Sequence, residues 1–386
     1  MMRAVLRMTV VLGILASAGL FPDRSPSLDG GGSSAPLWVV AGQGRGTPAV
    51  NKTTAYFMSK RHEVLAIDIR TGRVIWRAAT GEPGDQTMGS DVVLSNGVLL
   101  VGDYNVVAFD ARSGRIRWRF VPEGGYGPGI FLGPSVKDGL SFAGSPAATV
   151  YAIEVESGRA RWSTRIDSGA KVTVHQPHIC RELVIAGYTR FAESPTGGIV
   201  ALDPSKGTLR WRTEFPHRNA HSSSYAGGPV CFGDTAAAAG GDGTIHGLNV
   251  ETGSIKWTLP RASGAAEDND ADDAPDYRPL VHANGRLIAG SLTGRVVAYD
   301  VKSATTLWTS SSSEGGSVAL RLGVDRDTVY VPHMNGLLTA LDASDGRERW
   351  RTKSDTGFSW PPAFSKDRIL LASSASGFQA FGRPRR

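Results

Sequence analysis

Histidines gather in two short stretches of this chain, VTVHQPH (172–178) and FPHRNAHSSSYAGGP (215–229). His175, His178, His217 and His221 are imidazoles of the kind that ligate zinc. An HxxxH pair puts both rings on one side only when it lies on a helix. HRNAHSSS reads as a loop, so zinc is not the expectation. The same stretch sets Ser222, Ser223 and Ser224 beside His221, a nucleophile next to a base. No GxSxG elbow surrounds them, and serine-rich loops form without catalysis. An acidic run, Glu267, Asp268, Asp270, Asp272, Asp273 and Asp276, begins like a calcium loop. It carries Asp273 where the glycine belongs and Pro279 where the closing glutamate belongs. The expectation is a solvated insertion, with Asp268, Asp270 and Asp272 the only metal candidates. Cys180 and Cys231 form no CxxC pair. They sit in apolar runs (HICRELVIAG and PVCFGD), so two buried free thiols are expected, although an exported chain is permitted a disulfide.

The elements that must position these groups come from a repeat. One pattern recurs seven times: AIDIRTGRVIW (66–76), AFDARSGRIRW (108–118), AIEVESGRARW (152–162), ALDPSKGTLRW (201–211), GLNVETGSIKW (247–257), AYDVKSATTLW (298–308) and ALDASDGRERW (340–350). Alternation before the acid suits a half-buried strand. The acid with Ser/Thr and Gly makes a tight turn, because the carboxylate accepts turn N–H groups and glycine adopts a left-handed backbone. The run to Trp is the next antiparallel strand, and the Trp buries its ring between sheets. Two further short strands precede each copy, as in VVLSNGVLLVGD (92–103). Four antiparallel strands per unit of 42 to 51 residues between tryptophans make a propeller blade.

After Trp350 the chain offers three strands and stops. APLWVVAG (35–42) supplies the missing outer strand, which gives an all-β, eight-bladed propeller closed by its N-terminal strand. Trp38, Trp76, Trp118, Trp162, Trp211, Trp257, Trp308 and Trp350 fill the docking position, leaving Trp360 as the odd one. Glu154 and Asn249 in place of Asp, and Ser303-Ala304 in place of Thr/Ser-Gly, are tolerated turn variants. An insertion (189–198) separates the second and third strands of the fourth blade.

In such a ring the outer-to-inner crossovers gather on one face, and loops on a rigid scaffold are where binding groups sit. The segments after each Trp contain Tyr126, His175, His217, His221, Tyr225, Arg278 and Trp360, the candidate binding residues. Aromatic and Arg side chains are common interface anchors. No catalytic residue is assigned.

Residues 1–18 have a basic start (Arg3, Arg7), an apolar run (TVVLGIL) and an Ala-Ser-Ala end. They read as a signal peptide whose apolar run is too short to span a bilayer. Residues 19–34, rich in Pro, Gly and Ser, form a flexible linker, and residues 35–386 the propeller. The expected location is periplasmic or secreted. The net charge is +6, and many of the cations flank a tryptophan, such as Arg77, Arg117, Arg119, Arg161, Arg212 and Arg349. Cations on exposed edge strands discourage sheet-to-sheet association, and no nucleic-acid motif accompanies them.

The AxDxxTGxxxW pattern resembles the repeats of quinoprotein dehydrogenases and of the BamB family of outer-membrane assembly proteins, over essentially all of residues 35–382. The dehydrogenases hold pyrroloquinoline quinone and calcium over the propeller axis, commonly beside a vicinal Cys pair. This chain has no Cys-Cys pair, no matching ligand motif and little length for roofing inserts. The resemblance to BamB therefore implies a non-catalytic, cofactor-free, monomeric ring that presents loops to a protein partner in outer-membrane protein assembly. The absent lipobox Cys departs from that family. The alternatives are a quinone-dependent dehydrogenase using pyrroloquinoline quinone and calcium, and a carbohydrate or cell-wall binding module.

Overall fold

The computed structural model describes residues 35–81, 90–122, 133–168, 171–191, 196–216, 228–240, 244–259, 277–291, 294–311, 318, 321–354, 357–358 and 360–383. The signal and linker expected over residues 1–34 lie outside them.

Each repeat copy folds as its pattern dictates. The acid ends the third strand of a blade and its carboxylate gathers the turn. Asp68 Oδ1 accepts the Thr71 N–H at 2.7 Å and the Thr71 hydroxyl at 2.7 Å. At the equivalent Asp110, hydrogen bonds from Ser113 and then Arg117 hold the carboxyl down at about 2. The turn glycine has a second reason to be glycine. Gly72 sits at φ +75° and faces the ring of Trp38, whose Cγ would lie 2.7 Å from an added Cβ. The variants keep the device: Asn249 Oδ1 accepts the N–H groups of Glu251 and Thr252, and Glu154 accepts the Ser157 hydroxyl.

Eight antiparallel sheets result, each running from an inner strand to an outer one. We number the blades 1 to 8 in chain order from Gly44. Second and third strands are buried on both faces, as in Thr54–Ser59. Outer strands alternate, as in Val74–Ala79, where Trp76 turns inward and Ile75 and Arg77 face solvent. Every apolar cluster joins one blade to its neighbour. Ring closure is as expected: Trp38–Val40 pairs antiparallel with the strand Gly377–Gly382, Trp38 opposite Ala380. Phe57 of blade 1 packs against Phe378 of blade 8 at 4.8 Å between centroids.

Two features differ from the expectation. Cys180 and Cys231 are not free thiols but a disulfide, with Cα atoms 5.5 Å apart. They lie on the inner strands of blades 4 and 5, His178–Cys180 and Val230–Phe232. Consecutive inner strands converge toward the axis, which brings two residues of separate apolar runs side by side. The VTVHQPH stretch is also no crossover. It is the inner strand of blade 4, broken into Val172–Val174 and His178–Cys180, both paired with Leu183–Arg190. The insertion in blade 4 appears as a longer hairpin, Leu183–Arg190 with Thr196–Leu202.

Candidate functional site: the loop face and its axial cluster

Because strands within a blade alternate in direction, two kinds of connection share one face of the ring. These are the outer-to-inner crossovers and the turns between second and third strands. The acid-and-glycine turns occupy the opposite face. Among the described residues, three large apolar side chains stand exposed on the first face: Val121 at 52%, Phe191 at 44% and Met334 at 59%. Val121 opens a crossover. Phe191 follows the strand Leu183–Arg190. Met334 lies in the turn between Thr328–Pro332 and Leu337–Asp342. The remaining exposed apolar residues, such as Ile75, Ile116 and Ile255, lie on outer strands at the rim.

Of the sequence candidates, Tyr126, His217, His221 and Tyr225 lie outside the described residues, as do Asp268, Asp270 and Asp272. Arg278 belongs to a strand, Tyr277–Ala283, the inner strand of blade 6, and not to a loop. His175 is 2% exposed, with Nε2 2.9 Å from the Thr189 hydroxyl. Burial holds its imidazole down at about 4, so the ring is neutral at physiological pH. His178 is also held at about 4, by burial first and then by the positive charge of Arg321. Trp360 is buried too, beneath a guanidinium. Both His175 and Trp360 therefore shape the interior of the mouth and present no exposed surface to a partner.

The buried Trp360 belongs to a cluster on the axis that sequence reading missed. The Arg321 guanidinium of blade 7 lies 5.7 Å from the centroid of the Trp360 ring. One of its NH2 groups binds the Asp91 carboxylate of blade 2, and the other binds the Gln176 amide oxygen of blade 4. Asp91 also accepts the backbone N–H of Thr47 in blade 1 at 3.0 Å. The break in the inner strand of blade 4 explains the reach of Gln176: an interrupted strand re-aims the side chain at the interruption. The one sequence sign of this cluster is a lone cation in an apolar run, VALRLGV (318–324).

A second buried cluster lies between blades 1 and 2. His62 Nδ1 is 2.6 Å from Asp103 Oδ2, and the Thr80 hydroxyl donates to the same oxygen at 2.9 Å. One carboxylate oxygen holds both the imidazole and the Thr80 hydroxyl. The cluster ties the turns of two blades.

A calcium-bound quinone over the axis needs convergent oxygen ligands and a free aromatic face. Among the described residues no three His, Cys, Asp or Glu side chains converge to hold a cation. Asp91 is tied to Arg321, and Arg321 overlies Trp360. These residues do not fit that cofactor.

A family model described as outer membrane protein assembly factor BamB matches residues 32–106, 102–320 and 292–383. The chain is similar to the outer membrane protein assembly factor BamB of Yersinia pestis, 24% identical over 78% of this chain and 65% of that protein. Among solved structures it is similar in fold to BamB from Moraxella catarrhalis, with a TM-score of 0.67 at 15% identity, covering 91% of this chain and 98% of that one. It is also similar in fold to a europium-containing methanol dehydrogenase, with a TM-score of 0.71 at 14% identity, covering 90% of this chain and 93% of that one. With the family model spanning almost the whole ring, the chain belongs to the BamB family of outer-membrane assembly proteins.

Proposed function

We propose that this chain is a non-catalytic, periplasmic propeller that binds a protein partner through its loop face, as a scaffold in outer-membrane protein assembly. The observation that carries the reading is the set Val121, Phe191 and Met334, large apolar side chains exposed on the face where the crossovers gather. Isolated exposed apolar residues are ordinary. These three stand on turns and crossovers, where packing within a sheet does not require them. Tyr126, His217, His221 and Tyr225, which lie outside the described residues, are further candidate contacts. The misfit of the axial residues to a calcium-bound quinone supports a binding role over the dehydrogenase alternative. Family membership supports the assembly setting.

The test is site-specific photocrosslinking in the native envelope. A crosslinker at Val121, Phe191 or Met334 is expected to capture a β-barrel assembly component. The same group at Ile75 or Ile255 on the rim is expected to capture none. Equal capture from rim and face would overturn the docking face. Capture from neither would overturn the scaffold reading.

A further inference from the structure

Packing in this ring is a nearest-neighbour affair, as it is in repeat proteins generally. The axial cluster breaks that rule. Arg321 of blade 7 binds Asp91 of blade 2 and Gln176 of blade 4, each three blades away around the ring. All three sit at the same level of their blades. Asp91 directly precedes the inner strand Val92–Ser95. Gln176 lies in the break of the inner strand of blade 4. Arg321 stands two residues before Gly323–Asp325. The packing around the cluster is close. An added Cβ on Gly133, in the crossover entering blade 3, would lie 2.9 Å from Asp91 Cβ. One on Gly228, entering blade 5, would lie 1.8 Å from His178 Nε2.

We infer that Arg321 is the positioning residue of the loop face. It holds the inner strands of blades 2, 4 and 7 at one spacing across the axis. Val121, Phe191 and Met334, which those same three blades carry, are thereby presented to a partner as a single rigid surface. The chemistry suits arginine and not lysine. A planar fork reaches a carboxylate and an amide in different directions at once, while its face lies on an indole. The cluster is mostly buried, so losing the cation leaves Asp91 without its partner in a poorly solvated place. The presentation role rests on the docking reading above, whereas the mechanical tie stands without it.

Hydrogen exchange on the full chain separates the two. Arg321→Met is expected to speed exchange about tenfold in three inner strands at once. These are Val92–Ser95, the broken strand of blade 4, and Gly323–Asp325. The inner strand of blade 5, Val230–Phe232, should stay unchanged. Asp91→Asn combined with Arg321→Met should exchange no faster than Arg321→Met alone. Acceleration confined to blade 7, or effects of the two substitutions that multiply, would overturn the tie. If Arg321→Met does not accumulate as folded protein, Gln176→Leu serves. It should loosen blade 7 across the ring, and loosening of blade 4 alone overturns the proposal. Crosslinking of the same variants through Met334 completes the test. Faster exchange with undiminished capture would overturn the presentation role and leave docking intact. Variant exchange as expected, with no capture by the wild-type protein from any face position, would overturn docking and leave the tie intact.

Discussion

Six indole N–H groups in this ring donate to the same place in the next blade, the carbonyl of the residue after the turn acid. Trp38 donates to Ile69 at 2.8 Å, and Trp76, Trp118, Trp162, Trp211 and Trp308 follow suit. Trp257 does not, and the sequence of its neighbour explains why. The turn residue it should lie against is Ala304, held at φ +56°, in place of glycine. Elsewhere a Cβ at that position would fall within about 2.7 Å of the ring, as at Gly72 and Gly114. Trp257 instead lies over Gly247 of its own blade, where an added Cβ would come 2.1 Å from the ring. Every other copy of the repeat has Ala at the position of Gly247. The two departures compensate each other. Gly247→Ala is expected to destabilise by about 1–3 kcal/mol through overpacking. Adding Ala304→Gly should restore most of that, because it reopens the usual seat and relieves a left-handed alanine. A double-mutant cycle by urea unfolding measures the coupling. Additive losses would show that the two positions do not share the ring.

At the scale of elements, the repeat made strands, turns and blade count legible, since each acid, glycine and tryptophan has one local job repeated along the chain. Even the three-strand remainder after Trp350 pointed to closure by Trp38–Val40. What the repeat could not show is what its copies do to one another across space. His175 and Trp360 look like loop anchors because a broken strand and a short bridge read as loops. The axial cluster draws on residues up to 230 apart in sequence, in stretches that no copy of the pattern covers. The disulfide belongs to the same class, set by the convergence of neighbouring inner strands. It closes a sequence separation of 51 residues. Constraint of the unfolded chain over that length is worth about 4 kcal/mol in the chain-entropy account. Reductant, or Cys180→Ala with Cys231→Ala, should lower the unfolding free energy by about that amount and the thermal midpoint with it. A wild-type midpoint indifferent to reductant would mean that the bridge contributes nothing.

For the whole molecule, the consequence lies at the seam. Blade 8 is assembled from strands far apart in the chain, Trp38–Val40 and Gly377–Gly382, so no turn of the repeat joins its third strand to its outer one. Trp350, which packs toward that place, has a buried indole N–H with no partner among the described residues. The closing strand is three residues long, against five to eight for the outer strands of the other blades. Closure brings together Trp38 and Ala380 from opposite ends of the chain, so its loop-closure entropy must be met before its contacts reward it. The seam should therefore form after the folding transition state. By contrast, Trp162 docks on Pro204, only 42 residues away, and this contact can form with its local pair of blades. Trp38→Ala and Trp162→Ala should each cost about 3–5 kcal/mol at equilibrium, as large-to-small changes at packed aromatics do. Their kinetics should differ. Trp38→Ala should leave refolding nearly unchanged and speed unfolding, whereas Trp162→Ala should also slow refolding. Stopped-flow unfolding and refolding across a urea series reads both limbs. If Trp38→Ala slows refolding as much as Trp162→Ala does, closure is part of the nucleus and the ring does not fold as an open arc that closes last.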